Sequence, residues 1–160
     1  MKNLITRFIL LMSFIALSSS FAMDNKPAIE NNVKIIQNLY ASFAEGDVSA
    51  VLQMFDSKII WNEAENFPYA DGNPYIGPQA VLEGVFARIG AEWEYWNLTD
   101  QKYYESYSGE IIVTGRYKAK NKMTGKEINV QFVHMWILKD GLITNFQQHA
   151  DTYQVVVAMK

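Results

Sequence analysis

Apolar residues recur at helical spacing in the first part of the chain and at alternating spacing in the second. A first predicted helix opens at Pro27 and ends at Gly46, and its apolar face contains Ile29, Val33, Ile36, Tyr40 and Phe43. Asp47 is a good N-cap for a second, short helix. A third predicted helix starts at Pro78 and stops at Gly90. Each helix has one apolar face, so each is expected to cover a sheet.

The remaining segments alternate as strands do. Residues 58–64 predict a strand with Ile59, Trp61 and Glu63 on one face, and residues 92–107 and 110–120 predict two more. A final pair of strands flanks Asp140 and Gly141. Three helices with one strand among them, followed by four antiparallel strands, predict a single α+β domain. We expect a curved, cone-shaped antiparallel or mixed sheet, with an apolar cavity between its inner face and the helices.

The last two strands form a predicted hairpin that contains both histidines of the chain. Asp-Gly favours a two-residue type I′ turn, because both residues accept positive φ values. A regular ladder from that turn places His134 opposite Gln147 and His149 opposite Phe132, with Asp151 further along. Period-two alternation then puts these side chains on one face with Trp136. Apolar rings with a few convergent polar groups are typical of a small-molecule pocket.

The candidate chemistry is acid and base catalysis. His134 or Asp151 would be the base and the other its partner, and Tyr40 or Tyr69 would donate a hydrogen bond to a developing oxyanion. Glu63 is a further candidate base, because an apolar cleft beside Trp61 raises the pKa of a carboxyl group. Trp61, Tyr40, Tyr69, Trp136, Gln147 and His149 are the predicted substrate-binding residues. Structural roles are the alternative: a packed histidine, a core tyrosine and an exposed Glu63.

Two other readings of the same residues stay open. His134, His149 and Asp151 have the composition of a metal-binding facial triad, although we expect hydrogen bonding there and no metal. The second alternative is a non-catalytic domain that binds a lipid-like or aromatic ligand. Neither the acid and base chemistry nor ligand binding requires a cofactor, and we expect none.

The first residues are typical of a signal peptide. Lys2 and Arg7 precede an apolar stretch at residues 8–17, and the small residues Ser20 and Ala22 are typical of a cleavage site after residue 22. The apolar stretch is shorter than the ~20 residues of a membrane-spanning helix, so no permanent anchor is expected. The prediction is an exported protein, periplasmic or secreted, with a signal peptide at 1–22 and one domain at 23–160. The chain has no cysteine, which excludes disulfides and thiol chemistry.

The net charge of the mature chain argues against some classes of binding partner. Removing Lys2 and Arg7 from the 14 basic residues leaves 12 against 17 acidic ones, a formal charge of −5. A basic surface for nucleic acid or anionic lipid is therefore not expected. The expected partner is a small hydrophobic molecule.

A series of short runs between residues 33 and 152 resembles the SnoaL-like and ketosteroid-isomerase-like group of the nuclear transport factor 2 superfamily. The runs are LYASFAEGD at 39–47, WNE at 61–63, PY at 68–69, YIGP at 75–78, AV at 80–81, VF at 85–86, GRY at 115–117, TGK at 124–126, FVHMW at 132–136, KDGLI at 139–143 and DT at 151–152.

The resemblance implies a cone-shaped α+β barrel, a homodimer formed through the outer sheet face, and a pocket for a small hydrophobic molecule. In such pockets the acid and base groups come from positions that here contain Glu63, His134, His149 and Asp151. Relatives include isomerases, cyclases, hydrolases, dehydratases and non-catalytic members, so the resemblance names no reaction. The Asp base and the Tyr and Asp donors of ketosteroid isomerase, a worked example of tuned acidity, have no residue-by-residue match in this chain.

Overall fold

A computed structural model describes the backbone of residues 26–160 and the side chains from residue 31 onward. The predicted signal peptide at 1–22 and the side chain of Ile29 lie outside the described residues. The helices are α1 Lys26–Ala44, α2 Val48–Gln53, α3 Pro78–Val81, α4 Ala87–Glu92 and α5 Thr152–Ala158, with a 3-10 turn at Ala70–Gly72. The strands are β1 Phe55–Asn62, β2 Tyr75–Ile76, β3 Trp93–Glu105, β4 Ile111–Asn121, β5 Glu127–Lys139 and β6 Leu142–Ala150.

All six strands form one sheet in the order β2-β1-β6-β5-β4-β3. The pairs from β3 to β6 are antiparallel, as is β1 with β2, whereas β1 runs parallel to β6. The sheet is therefore mixed and curved, and the helices cover its inner face. This confirms the predicted α+β class. None of the helices within residues 26–160 is long and apolar enough to cross a membrane.

Local sequence signals explain where several elements begin and end. The Oδ1 atom of Asp47 accepts a hydrogen bond from the backbone N–H of Ala50 at 2.9 Å, so Asp47 caps α2 as predicted. Gly46, with φ of 76°, separates α1 from that cap. Asp140 and Gly141 have φ values of 52° and 80°, which confirms the type I′ turn of the hairpin.

The helical segment from α3 to α4 contains a π-helical turn at Leu82–Phe86. Gly84 lies in this turn where the helix meets β2, and a Cβ atom there would come within 2.0 Å of the ring of Tyr75. Only glycine allows this close approach. The turn directs Val85 inward, where it is 2% exposed, so it shapes the wall between helix and sheet.

Some predicted boundaries differ from the structure, and two of its elements, the short strand β2 and helix α5, were not predicted. The first strand begins at Phe55, before the predicted residue 58, and the third helical segment continues past Gly90 to Glu92. Helix α5 was not predicted, because its run of β-branched residues at 155–157 favours a strand in isolation. The Asp151 side chain caps this helix and starts it.

The register of the hairpin also differs. Lys139 lies opposite Leu142 as predicted, but Ile137 lies opposite Asn145, and Thr144 is left as an extra residue in β6. His134 consequently faces Gln148. The prediction that Gln147, His149 and Asp151 share a face with His134 is therefore wrong.

The bulge has a simple physical cause. Ile143 and Phe146 are both buried, at 0% and 2% exposed, although they are three residues apart. A regular strand would direct one of them to the outside, and an extra residue lets both face the core.

Candidate functional site

A cavity of about 50 Å³ lies between the helices and the inner face of the sheet. Its apolar wall includes Leu39, Phe43, Phe86, Ile89, Leu98 and Phe146. The polar groups in the wall come from Tyr40 on α1, Glu63 just after β1, Tyr117 on β4, His134 on β5 and Gln148 on β6. The fold thus brings five separate segments to one small, mostly apolar space.

His134 lies at the centre of a hydrogen-bonded network in that wall. Its Nδ1 atom contacts the hydroxyl oxygen of Tyr40 at 2.7 Å, and its Nε2 atom is hydrogen-bonded to the hydroxyl of Tyr117. The indole N–H of Trp136 donates to the Tyr40 hydroxyl at 3.1 Å. The side-chain amide of Gln148 donates to the Tyr117 hydroxyl at 2.9 Å. Both nitrogens of the imidazole are therefore occupied.

Burial keeps this network neutral. His134 is 4% exposed, and burial lowers the pKa of its imidazole to about 3. Burial likewise raises the pKa of Tyr40 and of Tyr117 well above the usual range of a phenol. At neutral pH the ring is an uncharged imidazole between two uncharged phenols.

Glu63 is the one carboxyl group among the described residues that line the cavity. Its backbone is fixed by Asn73, whose Oδ1 accepts from the Glu63 N–H at 3.0 Å and whose Nδ2 donates to the Glu63 carbonyl at 2.8 Å. The indole N–H of Trp61 donates to Oε1 of Glu63 at 2.6 Å. Among buried side-chain atoms of the described residues, Oε2 of Glu63 alone has no hydrogen-bond partner.

The environment of Glu63 favours its protonated form. The side chain is 2% exposed, and burial raises its pKa to about 7, against a smaller opposite effect of the Trp61 N–H and the nearby Gln148 amide. Such a carboxyl group exchanges protons near neutral pH. It is therefore placed and tuned as a general acid or base requires.

Five of the predicted site residues line this cavity, and their catalytic or binding roles stay predictions: Tyr40, Trp61, Glu63, His134 and Trp136. Their positions followed from helical spacing in α1 and from alternation in β1 and β5.

Three other predicted residues lie elsewhere. Gln147 points away from the cavity, and its Nε2 donates to the backbone carbonyl of Gln148 at 2.8 Å. His149 is exposed on the outer face. Asp151 caps α5, with its Oδ1 accepting from the Gln154 N–H at 3.5 Å. The proposed pair of His134 and Asp151 is thus not formed.

The alternative of a metal triad depends on the same register. His134 faces inward, whereas His149 and Asp151 line a groove on the outer face of the sheet. Within the part of the chain that the structure describes, no three His, Cys, Asp or Glu side chains are grouped to hold a metal ion.

Tyr69 is buried but lies beside the cavity, outside its wall. Its hydroxyl donates to Glu92 Oε2 and accepts from the indole N–H of Trp93, both at 2.8 Å. The guanidinium of Arg88 lies 4.5 Å from the centre of its ring. Tyr69 thus ties the loop after β1 to α4; it does not line the cavity, and its predicted contact with substrate stays a prediction.

Sequence reasoning missed two polar residues of the network, Tyr117 and Gln148. Tyr117 alternates with Ile111, Val113 and Ala119 on the buried face of β4, so strand periodicity alone could have found it. Gln148 faces inward only because of the bulge at Thr144. The signal for that bulge was the spacing of Ile143 and Phe146.

Comparison with known proteins supports one family. Residues 36–146 match the SnoaL-like domain family. No protein among curated sequences matches the chain. An NTF2-like (nuclear transport factor 2-like) protein from Burkholderia thailandensis has 28% identity and a TM-score of 0.73, covering 79% of this chain and 95% of its own.

Two further solved structures share the fold. An NTF2-like protein of unknown function from Burkholderia pseudomallei has 22% identity and a TM-score of 0.73, with 81% of this chain and 98% of its own covered. TerC, co-crystallised with polyporic acid, has 22% identity and a TM-score of 0.71, with the same coverage of 81% and 98%. With the family match over most of the described residues and the NTF2-like fold, this chain belongs to the SnoaL-like domain family.

Proposed function

We propose that this protein binds a small hydrophobic molecule in the cavity and catalyses a cofactor-independent proton transfer with Glu63 as the general base. The observation that carries the proposal is the unpartnered Oε2 of Glu63 in the wall of the cavity. A buried carboxylate oxygen without a donor costs free energy unless a ligand or reaction uses it. The reaction class is that of an isomerase, cyclase or hydrolase.

The surroundings of Glu63 suit abstraction of a proton next to a carbonyl group. Its raised pKa, about 7, makes it a stronger base than an ordinary carboxylate and leaves a useful ionised fraction at neutral pH. The neutral hydroxyls of Tyr40 and Tyr117 border the same cavity. A tyrosine hydroxyl stabilises an enolate oxygen by donating a hydrogen bond in a dry, low-dielectric site.

The size of the cavity bears on the substrate. At about 50 Å³ it is smaller than the pockets of ~300 Å³ and above that enclose drug-sized ligands. The half-buried side chains of Phe43, Phe86 and Ile89 on the helices close it. A larger substrate therefore requires these three side chains to move, and the apolar walls favour an uncharged ring compound.

A non-catalytic binding domain is the second candidate. One observation favours it: apart from Glu63 Oε2, every buried side-chain polar atom within residues 31–160 has a hydrogen-bond partner. Such a satisfied wall can hold a ligand without reacting. TerC, which shares the fold, was co-crystallised with polyporic acid, and a small organic ligand in this chain would fit the same use of the fold.

Export and dimerisation complete the proposal. The basic start and apolar stretch of residues 1–22 support export to the periplasm or medium, and an intact N-terminus on the cellular protein would contradict it.

Exposed Ile60, Met135 and Ile137 on the outer sheet face support a homodimer through that face. A monomer in sedimentation equilibrium would contradict the dimer.

The test of the reaction is exchange of substrate α-protons with solvent. Cyclohexanone and 2-indanone in D2O serve as probes, followed by proton NMR with the mature chain. We expect faster exchange with the wild type than with buffer, and a loss of roughly 10²-fold to 10⁴-fold in Glu63→Gln. Glu65→Gln is the matched control, because Glu65 is exposed and lies two residues away.

Equal exchange by wild type and Glu63→Gln would overturn the proposal. Probes that bind, as shown by shifted protein signals, without any accelerated exchange would favour the binding domain. Native mass spectrometry of protein from its own cell extract identifies a retained ligand in that case.

A further inference from the structure

The hydrogen bonds around His134 leave one hydroxyl proton unused. A neutral imidazole has one N–H donor and one bare nitrogen acceptor. Both nitrogens contact a tyrosine hydroxyl, Tyr40 at Nδ1 and Tyr117 at Nε2. One tyrosine must therefore donate to the ring while the other accepts from it.

Each hydroxyl also accepts a second hydrogen bond. Trp136 donates to Tyr40, and Gln148 donates to Tyr117. The tyrosine that accepts from His134 thus has both oxygen lone pairs occupied, and its own O–H has no acceptor within the network. With the proton on Nδ1 the free hydroxyl proton is that of Tyr40, and with the proton on Nε2 it is that of Tyr117.

Glu63 acts on one end of this network. Glu63 and Tyr117 line the same small cavity, so the negative charge of an ionised Glu63 disfavours loss of the Tyr117 phenolic proton and contributes to the raised pKa of Tyr117. The Oε2 atom of Glu63 lacks a donor. An ionised Glu63 therefore favours a Tyr117 O–H dipole directed toward it, which requires the proton of His134 on Nε2. A protonated Glu63 removes that preference.

We infer that His134 is a positioning residue whose tautomer follows the charge of Glu63 and decides whether Tyr117 or Tyr40 has the free hydroxyl proton. The two arrangements contain the same number of protons. In the change from the Nδ1–H to the Nε2–H arrangement, Tyr117 gives its hydroxyl proton to Nε2 and takes another from solvent, while Nδ1 gives its proton to Tyr40, which releases its own hydroxyl proton to solvent.

No other charged group in the cavity wall competes with Glu63. The titratable groups that face the network are Tyr40 from α1, Tyr117 from β4 and Glu63 itself, with Tyr103 of β3 beside Tyr40. Among the described residues that line the cavity there is no lysine or arginine. The remaining neighbours of the ring are Phe132, Trp136 and Phe146.

The consequence for the reaction rests on the proposed function. Before the reaction, the charge of ionised Glu63 orients the O–H dipole of Tyr117. Once Glu63 has taken a proton from the substrate, the tautomer preference relaxes and the Tyr40 hydroxyl becomes free to donate to the oxyanion. The donor is thus strengthened when negative charge develops on the substrate. His134 acts through the two tyrosines and does not itself touch substrate.

The test is ¹⁵N NMR of the mature chain with labelled histidine, between about pH 5 and about pH 9. The chain has two histidines, and the exposed His149 is assigned by His149→Gln and serves as an internal reference. We expect the His134 ring to stay neutral while the share of the Nε2–H tautomer rises with pH, with one inflection near pH 7, the pKa of Glu63. Glu65→Gln should behave as the wild type.

Two variants make the test specific. Glu63→Gln removes the charge, so the tautomer ratio should no longer change with pH. Tyr117→Phe removes the hydroxyl on which the charge of Glu63 acts, and the ratio should again become constant.

Three outcomes would overturn the inference: a constant tautomer ratio in the wild type, formation of imidazolium in this pH range, or a pH dependence that persists in Glu63→Gln. The measurement needs no substrate. A tautomer change without any loss of proton exchange in Glu63→Gln would keep the inference and reject the proposed reaction.

Discussion

His134 and His149 lie on neighbouring strands of one hairpin and differ in burial, hydrogen bonding and charged neighbours. His134 is 4% exposed, neutral, and hydrogen-bonded through both ring nitrogens on the inner face. His149 is exposed and lines an outer groove with charged neighbours such as Asp100, Lys102 and Arg116. The two residues have the same side chain. The comparison teaches that the face of the sheet, and not the residue type, decides what a histidine does here.

The same contrast extends to the rest of the sheet. On the inner face, polar groups are few: hydrogen bonds join Tyr40, His134, Tyr117 and Gln148, and Glu63 is the one carboxyl group among the described residues of the cavity wall. On the outer face, charged side chains remain in water, where ion pairs such as Lys120 with Glu94 add little stability. A substitution should therefore have a large effect on the inner face and a small one on the outer face.

The largest expected difference concerns two adjacent isoleucines of β1. Ile59 is 0% exposed and Ile60 is 40% exposed. We expect Ile59→Ala to lower the free energy of unfolding by roughly 2–5 kcal/mol, because it removes buried methyl groups and leaves a cavity. Ile60→Ala is the matched control and should cost about 1 kcal/mol or less. Urea denaturation of both variants measures the difference, and equal losses would show that the two faces of β1 are not distinct.

The next effect is the pH dependence caused by Glu63. Its pKa is about 7 in the folded chain and near 4.5 when unfolded, so the folded state binds the proton more tightly. Stability is then greatest below the lower value, falls as pH rises between the two, and is flat above about pH 7. The loss is about 3 kcal/mol. Glu63→Gln should not show this fall, so the difference between the two unfolding curves from about pH 4.5 to about pH 8 measures it.

A sharper form of that prediction uses Trp61→Phe. This change removes the N–H that donates to Glu63 Oε1, so the pKa of Glu63 should rise further and the fall in stability should extend to higher pH. If the difference in free energy of unfolding between the wild type and Glu63→Gln does not change with pH, the carboxyl group of Glu63 is not desolvated.

The smallest effect tests the outer position of Asp151. Asp151 caps α5, and Asp151→Ala should lower the free energy of unfolding by about 1 kcal/mol through loss of the cap. Asp151→Asn should be nearly neutral, because asparagine caps about as well. Neither variant should change the exchange of substrate α-protons. If both variants lost α-proton exchange while the free energy of unfolding was unchanged, Asp151 would be shown to act in catalysis.

Much of the fold could be predicted from local sequence. The cap at Asp47, the turn at Asp140 and Gly141, and the inward face of Ile59, Trp61 and Glu63 all depend on residues a few positions apart. Helix α5 could not be predicted in this way, because packing overrides the strand preference of its valines.

The candidate site was predicted in part for the same reason. Tyr40 and His134 lie within elements of regular periodicity, and Glu63 continues the alternation of β1 just past its end, so their inward direction followed from the sequence. Gln148, and not the predicted Gln147, lines the cavity, because one extra residue, Thr144, reverses the direction of the side chains after it in β6.

The sequence by itself determined the α+β class, the SnoaL-like resemblance and the presence of an acid beside an indole. Only the tertiary structure decided that His134 joins Tyr40 and Tyr117 and that Asp151 does not approach it. The physical reason is that local preferences act over a few residues, whereas the partners of a buried polar group come from strands and helices far apart in the chain. Because Ile143 and Phe146 are both buried, β6 contains the bulge at Thr144. The bulge directs Gln148 to the cavity wall and Asp151 away from it.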